Sequence, residues 1–160
     1  MKENVKNWDN DSEIIIYLEK LLNKEAFDNA GVIYGMGHAI YSKSDPRTLL
    51  FRHFVEKLAA EKGRSDEFKL YSKVESLAPE VIGRKRKLYK GVCANIDFYS
   101  GFVYSLLGLP EELFTPLFAV ARIAGWSAHR LEELVNAGMI IRPAYESVTK
   151  RKPYVPLGGR

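Results

Sequence analysis

The chain has 160 residues, a length that favours a single domain with a core of its own. With 46% hydrophobic, 12% aromatic and 28% charged residues, it is neither a disordered chain nor a membrane-embedded one. The single cysteine, Cys93, excludes an internal disulfide and a thiolate-rich zinc site, and residues 1–10 show no secretory signal. These features indicate a cytoplasmic protein. The net charge of +4 favours anionic small molecules or acidic surfaces over obligate nucleic-acid binding.

The first third of the chain is predicted to contain a helix and then a structured loop. Apolar residues recur at three- and four-residue steps after Asp11 or Ser12, either of which can cap the helix, and the pattern fades near residues 29–31. Residues 32–41 form two short β-prone runs around a glycine-rich turn. We expect this segment to be a structured loop.

Two further helices are predicted in the middle of the chain. Residues 44–46, Ser-Asp-Pro, are a strong start for a helix that continues to Gly63. The next helix opens at residues 65–67 and is expected to break at Pro79. Its extension ends in the basic run 84–90.

The remaining sequence predicts two helices and gives a mainly α fold. Asn95 can cap a helix over residues 96–107, and a last helix runs from about residue 111 to residue 136. Residues 113–128 are apolar almost all round, which predicts burial on most sides. This stretch is too short, and too interrupted by Pro116 and Arg122, to span a bilayer.

His38 is the first candidate for chemistry, because it follows glycines that allow close backbone approach. The loop is not a dinucleotide fingerprint, since Ile40 stands where the third glycine would be. A turn histidine bonded to the backbone is the alternative. His53 and His129 have no partner at metal-ligand spacing, so no metal site is expected.

Three further residues carry charge at informative positions. Asp97 lies in a first helical turn, where it either complements the helix dipole or acts as a base once water is excluded, with Phe98 and Tyr99 as possible shields. Arg122 on an apolar helix needs an anion, which is either a protein carboxylate or a ligand carboxylate. Arg47 sits at a helix start, which favours anions, or is simply a solvated surface residue.

The basic run and Arg142 have similar alternatives. Residues 84–90 are a solvated helix end, a phosphate-binding cluster or, with less support, a nucleic-acid surface. Arg142, which precedes Pro143, is either solvated or anion-binding.

Four segments in register resemble the citrate synthase family. Residues 35–41, followed by 45–47, are similar to the family's G-x-G-H-x-x-Y … D-P-R segment. Residues 95–101 resemble N-V-D-F-Y-S-G, and residues 114–129 resemble the long arginine-bearing helix of the family. Residues 141–145 resemble the motif that follows it.

The resemblance implies condensation of acetyl-CoA with oxaloacetate and hydrolysis of the citryl thioester to citrate. It implies that Asp97 takes a proton from the acetyl methyl group and that His38 binds and polarises the oxaloacetate carbonyl. Three arginines would hold the oxaloacetate carboxylates: Arg47, Arg122 and Arg142. Arg142 would reach the site from the partner subunit of a homodimer.

The resemblance also implies a CoA site without a metal or a tightly bound cofactor. The loop beside the adenine would consist of Val32, Ile33, Tyr34, Gly35, Met36 and Gly37. Lys85 and Lys87 would lie near the phosphates, although Ser42 stands where some relatives have an arginine. Residues 1–110 would form the small domain of the fold, and residues 111–160 would return to the large domain.

One family segment is absent from these residues. The family's H-G-G-A-N histidine, which bonds the acetyl carbonyl as the enol forms, matches none of the three histidines. We therefore expect the chain to be a piece of a longer enzyme and to be inactive alone. The alternatives are a 2-methylcitrate synthase, which uses propionyl-CoA, and a non-catalytic helical module that binds CoA or dicarboxylates.

Overall fold

The computed structural model describes residues 1–86 and 90–136. Within these residues it contains five α-helices and no strand, which confirms the predicted mainly α fold. The helices are α1 (Asp11–Leu22), α2 (Pro46–Glu61), α3 (Ser65–Lys85), α4 (Ile96–Leu106) and α5 (Phe114–Asn136), the last preceded by a 3-10 turn at Glu111–Leu113. Contacts divide the chain into a unit Met1–Leu117 and a second unit Phe118–Arg160, with the boundary inside α5.

Polar caps fix the starts of three helices in the first unit. Asp45 caps α2 within the predicted Ser-Asp-Pro start, and Asn95 caps α4 as predicted, each accepting a hydrogen bond from the backbone N–H two residues later. The cap of α1 is Asn10, whose side chain accepts from the N–H of Ser12 at 3.0 Å. The predicted caps, Asp11 and Ser12, are thus wrong by one or two residues, because three polar residues in a row all have capping chemistry.

The predicted break of α3 at Pro79 is wrong. The helix continues to Lys85, with the proline in its interior. An interior proline costs about 3 kcal/mol, whereas each buried valine, leucine or isoleucine contributes about 1.5–3 kcal/mol. The buried face of α3 continues on both sides of the proline and packs against α1 and α2: Leu70, Val74, Ala78, Val81 and Ile82. Tertiary packing therefore outweighs the local preference.

The core of the first unit holds α4 in place. This helix packs against α2, and its Tyr99 and Phe102 are completely buried. Tyr71 of α3 stacks on Phe102 with ring centroids 4.4 Å apart. The Arg64 guanidinium at the start of α3 donates to the backbone carbonyl of Ser105 at 3.1 Å. Both ends of α4 are therefore anchored, which fixes the direction of its first turn.

The expected burial of the last helix is not found among the described residues. No residue of α5 is buried, and large apolar side chains are exposed along it, including Val120, Ile123 and Trp126. An apolar pattern indicates that a helix suits a covered position but does not identify what covers it. In residues 1–86 and 90–136, no helix has the length and apolar character needed to cross a bilayer.

Candidate active site

The glycine-rich loop docks on the residues that lead into α4. The Gly37 N–H donates to the carbonyl of Cys93, and the Asn95 N–H donates to the carbonyl of Gly35, both at 2.8 Å. Gly35 has a φ of +78°, and a Cβ there would lie 2.8 Å from the Cα of Phe98. Only glycine fits this close approach. The loop carrying His38 is thereby held against the first turn of α4, which carries Asp97.

The His38 ring has a defined orientation. Its Nδ1 accepts hydrogen bonds from the backbone N–H groups of Ile40 and Tyr41 at 3.1 and 3.2 Å. Because a backbone N–H can only donate, the neutral ring carries its proton on Nε2. The ring lies 4.8 Å from the Tyr41 ring, centroid to centroid. The backbone carbonyls of His38 and the next residue accept from the Lys90 ammonium at 3.1 and 2.8 Å. The alternative of a turn histidine bonded to the backbone is therefore correct for Nδ1. The Nε2–H group takes no part in these backbone hydrogen bonds and can donate to a ligand.

Arg47 lies beside this imidazole and is held by a buried carboxylate. Its Nε and Nη2 donate to the two oxygens of Asp45 at 3.0 and 2.7 Å, and its Nη2 lies 3.4 Å from the His38 Nε2. These hydrogen bonds lower the pKa of Asp45 although the carboxylate is buried, and they raise the pKa of Arg47. A guanidinium has five N–H donors, so the edge facing away from Asp45 has donors for a second anion.

Asp97 belongs to the same cluster. Its N–H donates to the Oδ1 of Asn95 at 3.0 Å, and the charge of its carboxylate contributes to the raised pKa of Arg47. The side chain is exposed. Phe98 and Tyr99, the expected shields, point into the core and are at most 9% exposed. The shielding expectation is therefore wrong for the described residues, because successive helical residues face different directions.

The structure does not bury Arg122. It is exposed on α5, and its guanidinium lies 5.1 Å from the centre of the Phe118 ring in the second unit. No protein carboxylate pairs with Arg122 among the described residues. Arg142 and Lys87 lie outside the described residues.

The loop residues expected beside a nucleotide form part of a half-open apolar cavity of about 470 Å³. Val32, Ile33 and Tyr34 contribute to its wall. Tyr34 is 60% exposed and its hydroxyl donates to Asp28, which raises the pKa of the tyrosine. Met36 forms an isolated antiparallel bridge with Ala94. The N–H groups of Met36 and Gly37 donate to protein carbonyls, so these two are not directed at a ligand.

Basic residues of the 84–90 run contact polar groups of the protein. Lys85 is exposed, and its ammonium donates to the side chain of Asn23. Arg84 pairs with Glu80 one turn earlier on α3. Arg86 donates to the carbonyl of Gly31 at 2.7 Å, at the start of the glycine-rich loop. This arrangement fits a role at the loop better than a continuous nucleic-acid surface.

Several contacts that shape the cluster had no counterpart in the predicted site. Asp45 holds Arg47, Tyr41 stacks on His38, and Lys90 binds the backbone that follows the imidazole. Asn95 was expected only as a helix cap. The Asn95 side chain also donates to the carbonyl of Gly37. This bond and the bond from Lys90 each join residues more than 50 positions apart, so no local spacing signals them.

The described site is thus a polar cluster of an imidazole, a guanidinium and a carboxylate on an all-α scaffold. The family model "Citrate synthase, C-terminal domain" matches residues 1–144. The chain belongs to the citrate synthase family, as the sequence resemblance predicted.

Individual relatives agree with this membership. A citrate synthase of Synechocystis is 38% identical over 146 residues, covering 90% of this chain and 34% of the relative. A 2-methylcitrate synthase of Shewanella oneidensis is 38% identical over 130 residues, covering 80% of this chain and 32% of the relative. The chain therefore spans about a third of the length of the curated relatives it matches.

The fold agrees with a solved structure that contains ligands. The citrate synthase of Thermoplasma acidophilum, in a ternary complex with carboxymethyl coenzyme A and oxaloacetate, matches with a TM-score of 0.61 and 30% identity. The match covers 99% of this chain and 39% of that chain. A citrate synthase of Thermotoga maritima matches with a TM-score of 0.60 at the same identity.

Proposed function

We propose that this chain supplies part of the active site that condenses acetyl-CoA with oxaloacetate to citryl-CoA, whose thioester water then hydrolyses to citrate and CoA. The observation that carries the proposal is the juxtaposition of two donors that do not bond each other: the His38 Nε2–H and the Arg47 guanidinium, whose Nη2 lies 3.4 Å from Nε2. An α-keto acid has a carbonyl oxygen next to a carboxylate. A neutral imidazole donor beside a guanidinium is complementary to that pair of groups.

Each residue of the cluster then has one role. Arg47 holds a carboxylate of oxaloacetate through the edge that faces away from Asp45, while the imidazole N–H of His38 polarises the adjacent carbonyl. Asp97 removes a proton from the methyl group of acetyl-CoA, and the resulting carbon nucleophile attacks the polarised carbonyl. Oriented donors that stabilise the developing oxyanion provide most of the rate in such steps.

The remaining assignments follow from the family membership and are part of the same proposal. The loop from Val32 to Gly37 contacts the adenine of CoA, with Lys85 and Lys87 near its phosphates. Arg122 and Arg142 bind oxaloacetate carboxylates, the latter from the partner subunit of a cytoplasmic homodimer. Residues 1–110 act as the small domain, and residues 111–160 return to the large one.

We propose that the 160 residues alone bind oxaloacetate but do not turn it over. They contain no H-G-G-A-N histidine to stabilise the enol, and loss of one such donor costs about 10²–10³ in rate. The exposed Asp97 is a second reason. A thiol-release assay with acetyl-CoA and oxaloacetate tests this. Robust turnover by the purified chain contradicts it.

Calorimetry tests the binding site itself. Oxaloacetate is expected to bind more tightly than succinate, which lacks the carbonyl. Arg47→Gln and His38→Gln are expected to weaken it about 10- to 100-fold, the value of a hydrogen bond to a charged group. Arg84→Gln and His53→Gln are matched controls at exposed positions of α3 and α2. Equal affinity for both acids, or an unchanged affinity of the His38 variant, contradicts the proposed site.

The 2-methylcitrate synthase of Shewanella oneidensis keeps a second function open, because its identity to this chain equals that of the Synechocystis citrate synthase. The two activities differ in the acyl group of the CoA substrate. Turnover of acetyl-CoA against propionyl-CoA by the complete enzyme that contains these residues separates them.

A further inference from the structure

The side chain of Asn95 contacts both of the segments that carry the proposed catalytic groups. Its Oδ1 accepts from the N–H of Asp97 at 3.0 Å, which is the cap of α4. Its Nδ2 donates to the carbonyl of Gly37 at 2.8 Å, directly before His38 in the chain. One half-buried amide therefore joins the loop to the helix across 58 positions.

Helix capping explains only the oxygen of this amide. Asn10 caps α1 in the same way, with its Oδ1 accepting from Ser12 at 3.0 Å, but its Nδ2 contacts only Glu13 at 3.4 Å on the same helix. Asp45 caps α2 with a carboxylate, which has no N–H to donate. A helix cap therefore needs only an acceptor. The hydrogen bond from Nδ2 of Asn95 is not required for capping and serves another purpose.

At Gly37 the loop is held by hydrogen bonds, with the Lys90 ammonium holding the carbonyls of the two residues that follow. Gly37 has a left-handed φ of +92°, and a Cβ there would meet no atom within 4 Å, so no side chain packs on that side of it. Its position depends on hydrogen bonds from its N–H to Cys93 and from the Asn95 amide to its carbonyl. Losing the second bond removes the side-chain contact on the peptide group between Gly37 and His38.

We propose that Asn95 is a positioning residue that sets the separation between the His38 imidazole and the Asp97 carboxylate. The inference rests on the proposed function in so far as that separation matters for condensation. Misplacement of a reacting group by about 1 Å can cost roughly 10²-fold in rate. The amide acts as a two-sided clamp: its oxygen fixes the helix start and its nitrogen fixes the loop.

Two substitutions separate the clamp from the cap. Asn95→Ser keeps an acceptor for the Asp97 N–H and removes the donor to Gly37 without changing the charge. Asn95→Asp keeps the cap and turns an acceptor towards the Gly37 carbonyl. Asn10→Ser is the matched control, because it makes the same change at the cap of α1.

Hydrogen exchange of the full chain measures both sides of the clamp. In Asn95→Ser, protection of the Asp97 amide is expected to stay within about threefold. The Gly37 N–H is bonded to Cys93 and so reports opening of the loop that the Asn95 bond restrains; its protection is expected to fall about two- to tenfold, the value of one hydrogen bond. Asn95→Asp is expected to lower protection at Gly37 further, and Asn10→Ser is expected to change neither amide. Unchanged protection at Gly37 in both Asn95 variants, or equal losses at Gly37 and Asp97, overturns the clamp.

Two further readouts test positioning rather than structure alone. The imidazole NMR signals of His38 are expected to move in both Asn95 variants and to stay in place in Asn10→Ser; unmoved signals overturn the proposal. Oxaloacetate affinity of Asn95→Ser is expected to fall about two- to tenfold. If the unmodified chain does not bind oxaloacetate, the proposed function fails, whereas the exchange and NMR results still decide the clamp.

Discussion

Asp45 is the residue on which the start of α2 and the direction of Arg47 both depend. Its side chain is completely buried, accepts from the Arg47 backbone N–H at 3.0 Å, and holds the guanidinium through both carboxylate oxygens. Two substitutions divide these contributions. Asp45→Ala removes the cap and the ion pair, while Asp45→Asn keeps an acceptor for the N–H and removes only the charge.

The magnitudes follow from what each change removes. An N-cap contributes about 1 kcal/mol, with a range of about 0.5–2. The ion pair adds less, because the Arg47 side chain is 48% exposed and water replaces its lost partner. We therefore expect Asp45→Ala to lower the free energy of unfolding by about 1 kcal/mol more than Asp45→Asn does. Asn10→Ala, which removes the cap of α1 without an arginine partner, is the control.

Urea unfolding of the three variants, followed by circular dichroism, provides the test. Equal losses for Asp45→Ala and Asp45→Asn would show that the buried charge, and not the cap, stabilises this turn. The pH dependence is a second check. Because Arg47 lowers the pKa of Asp45, the charge stabilises the fold above the ordinary aspartate pKa, and this contribution is lost as the pH falls through the lowered value. Asp45→Asn is expected to remove that part of the acid dependence.

Three further predictions concern stability and association. Arg64 lowers the pKa of Glu67 to about 2, so its stabilisation is present above about pH 4.5 and is lost as the pH falls through 2. Glu67→Gln should remove on the order of 1–2 kcal/mol of that acid-labile stability after solvent screening, and an unchanged acid titration of unfolding contradicts this. Gly35→Ala should destabilise the chain more than Gly37→Ala in urea, because both have positive φ but only Gly35 abuts Phe98; equal effects refute the packing argument. Apolar side chains exposed along α5 should drive self-association, and a monodisperse monomer in light scattering without apolar-dye binding contradicts that.

Periodicity and capping chemistry predicted the helices well, and the two errors have different causes. At α2, Pro46 favours the first helical position and so selects Asp45 over the neighbouring Ser44 as the cap, and at α4 the residues on either side of Asn95 are apolar. The interior Pro79 was misread because a local rule does not include the energy of a buried face on both sides of it. At α1 the local signal is ambiguous, because Asn10 is followed by two more residues with capping chemistry.

The candidate site was predictable as a set of residues but not as a geometry. His38, Arg47 and Asp97 are marked by local sequence, through a glycine turn, a Ser-Asp-Pro helix start and an Asn-x-Asp cap. The contacts of Asn95 and Lys90 with the loop are not, because they join positions 58 and 52 residues apart. The exposure of Arg122 and Asp97 depends equally on what covers each helix, which local pattern does not contain.

The exposure of Asp97 separates binding of the keto acid from its chemistry. A carboxylate that acts as a base needs a site from which water is excluded, whereas the imidazole and guanidinium donors are set by local hydrogen bonds. In this chain the Asp97 charge lies near enough to Arg47 to affect it, so it also repels a dianionic ligand. Asp97→Asn is therefore expected to strengthen oxaloacetate binding, because it removes one negative charge from the surroundings of a dianionic ligand. Asp11→Asn, an exposed aspartate at the start of α1, is the calorimetric control. Weaker binding by Asp97→Asn would mean that the carboxylate holds the site together rather than facing the ligand.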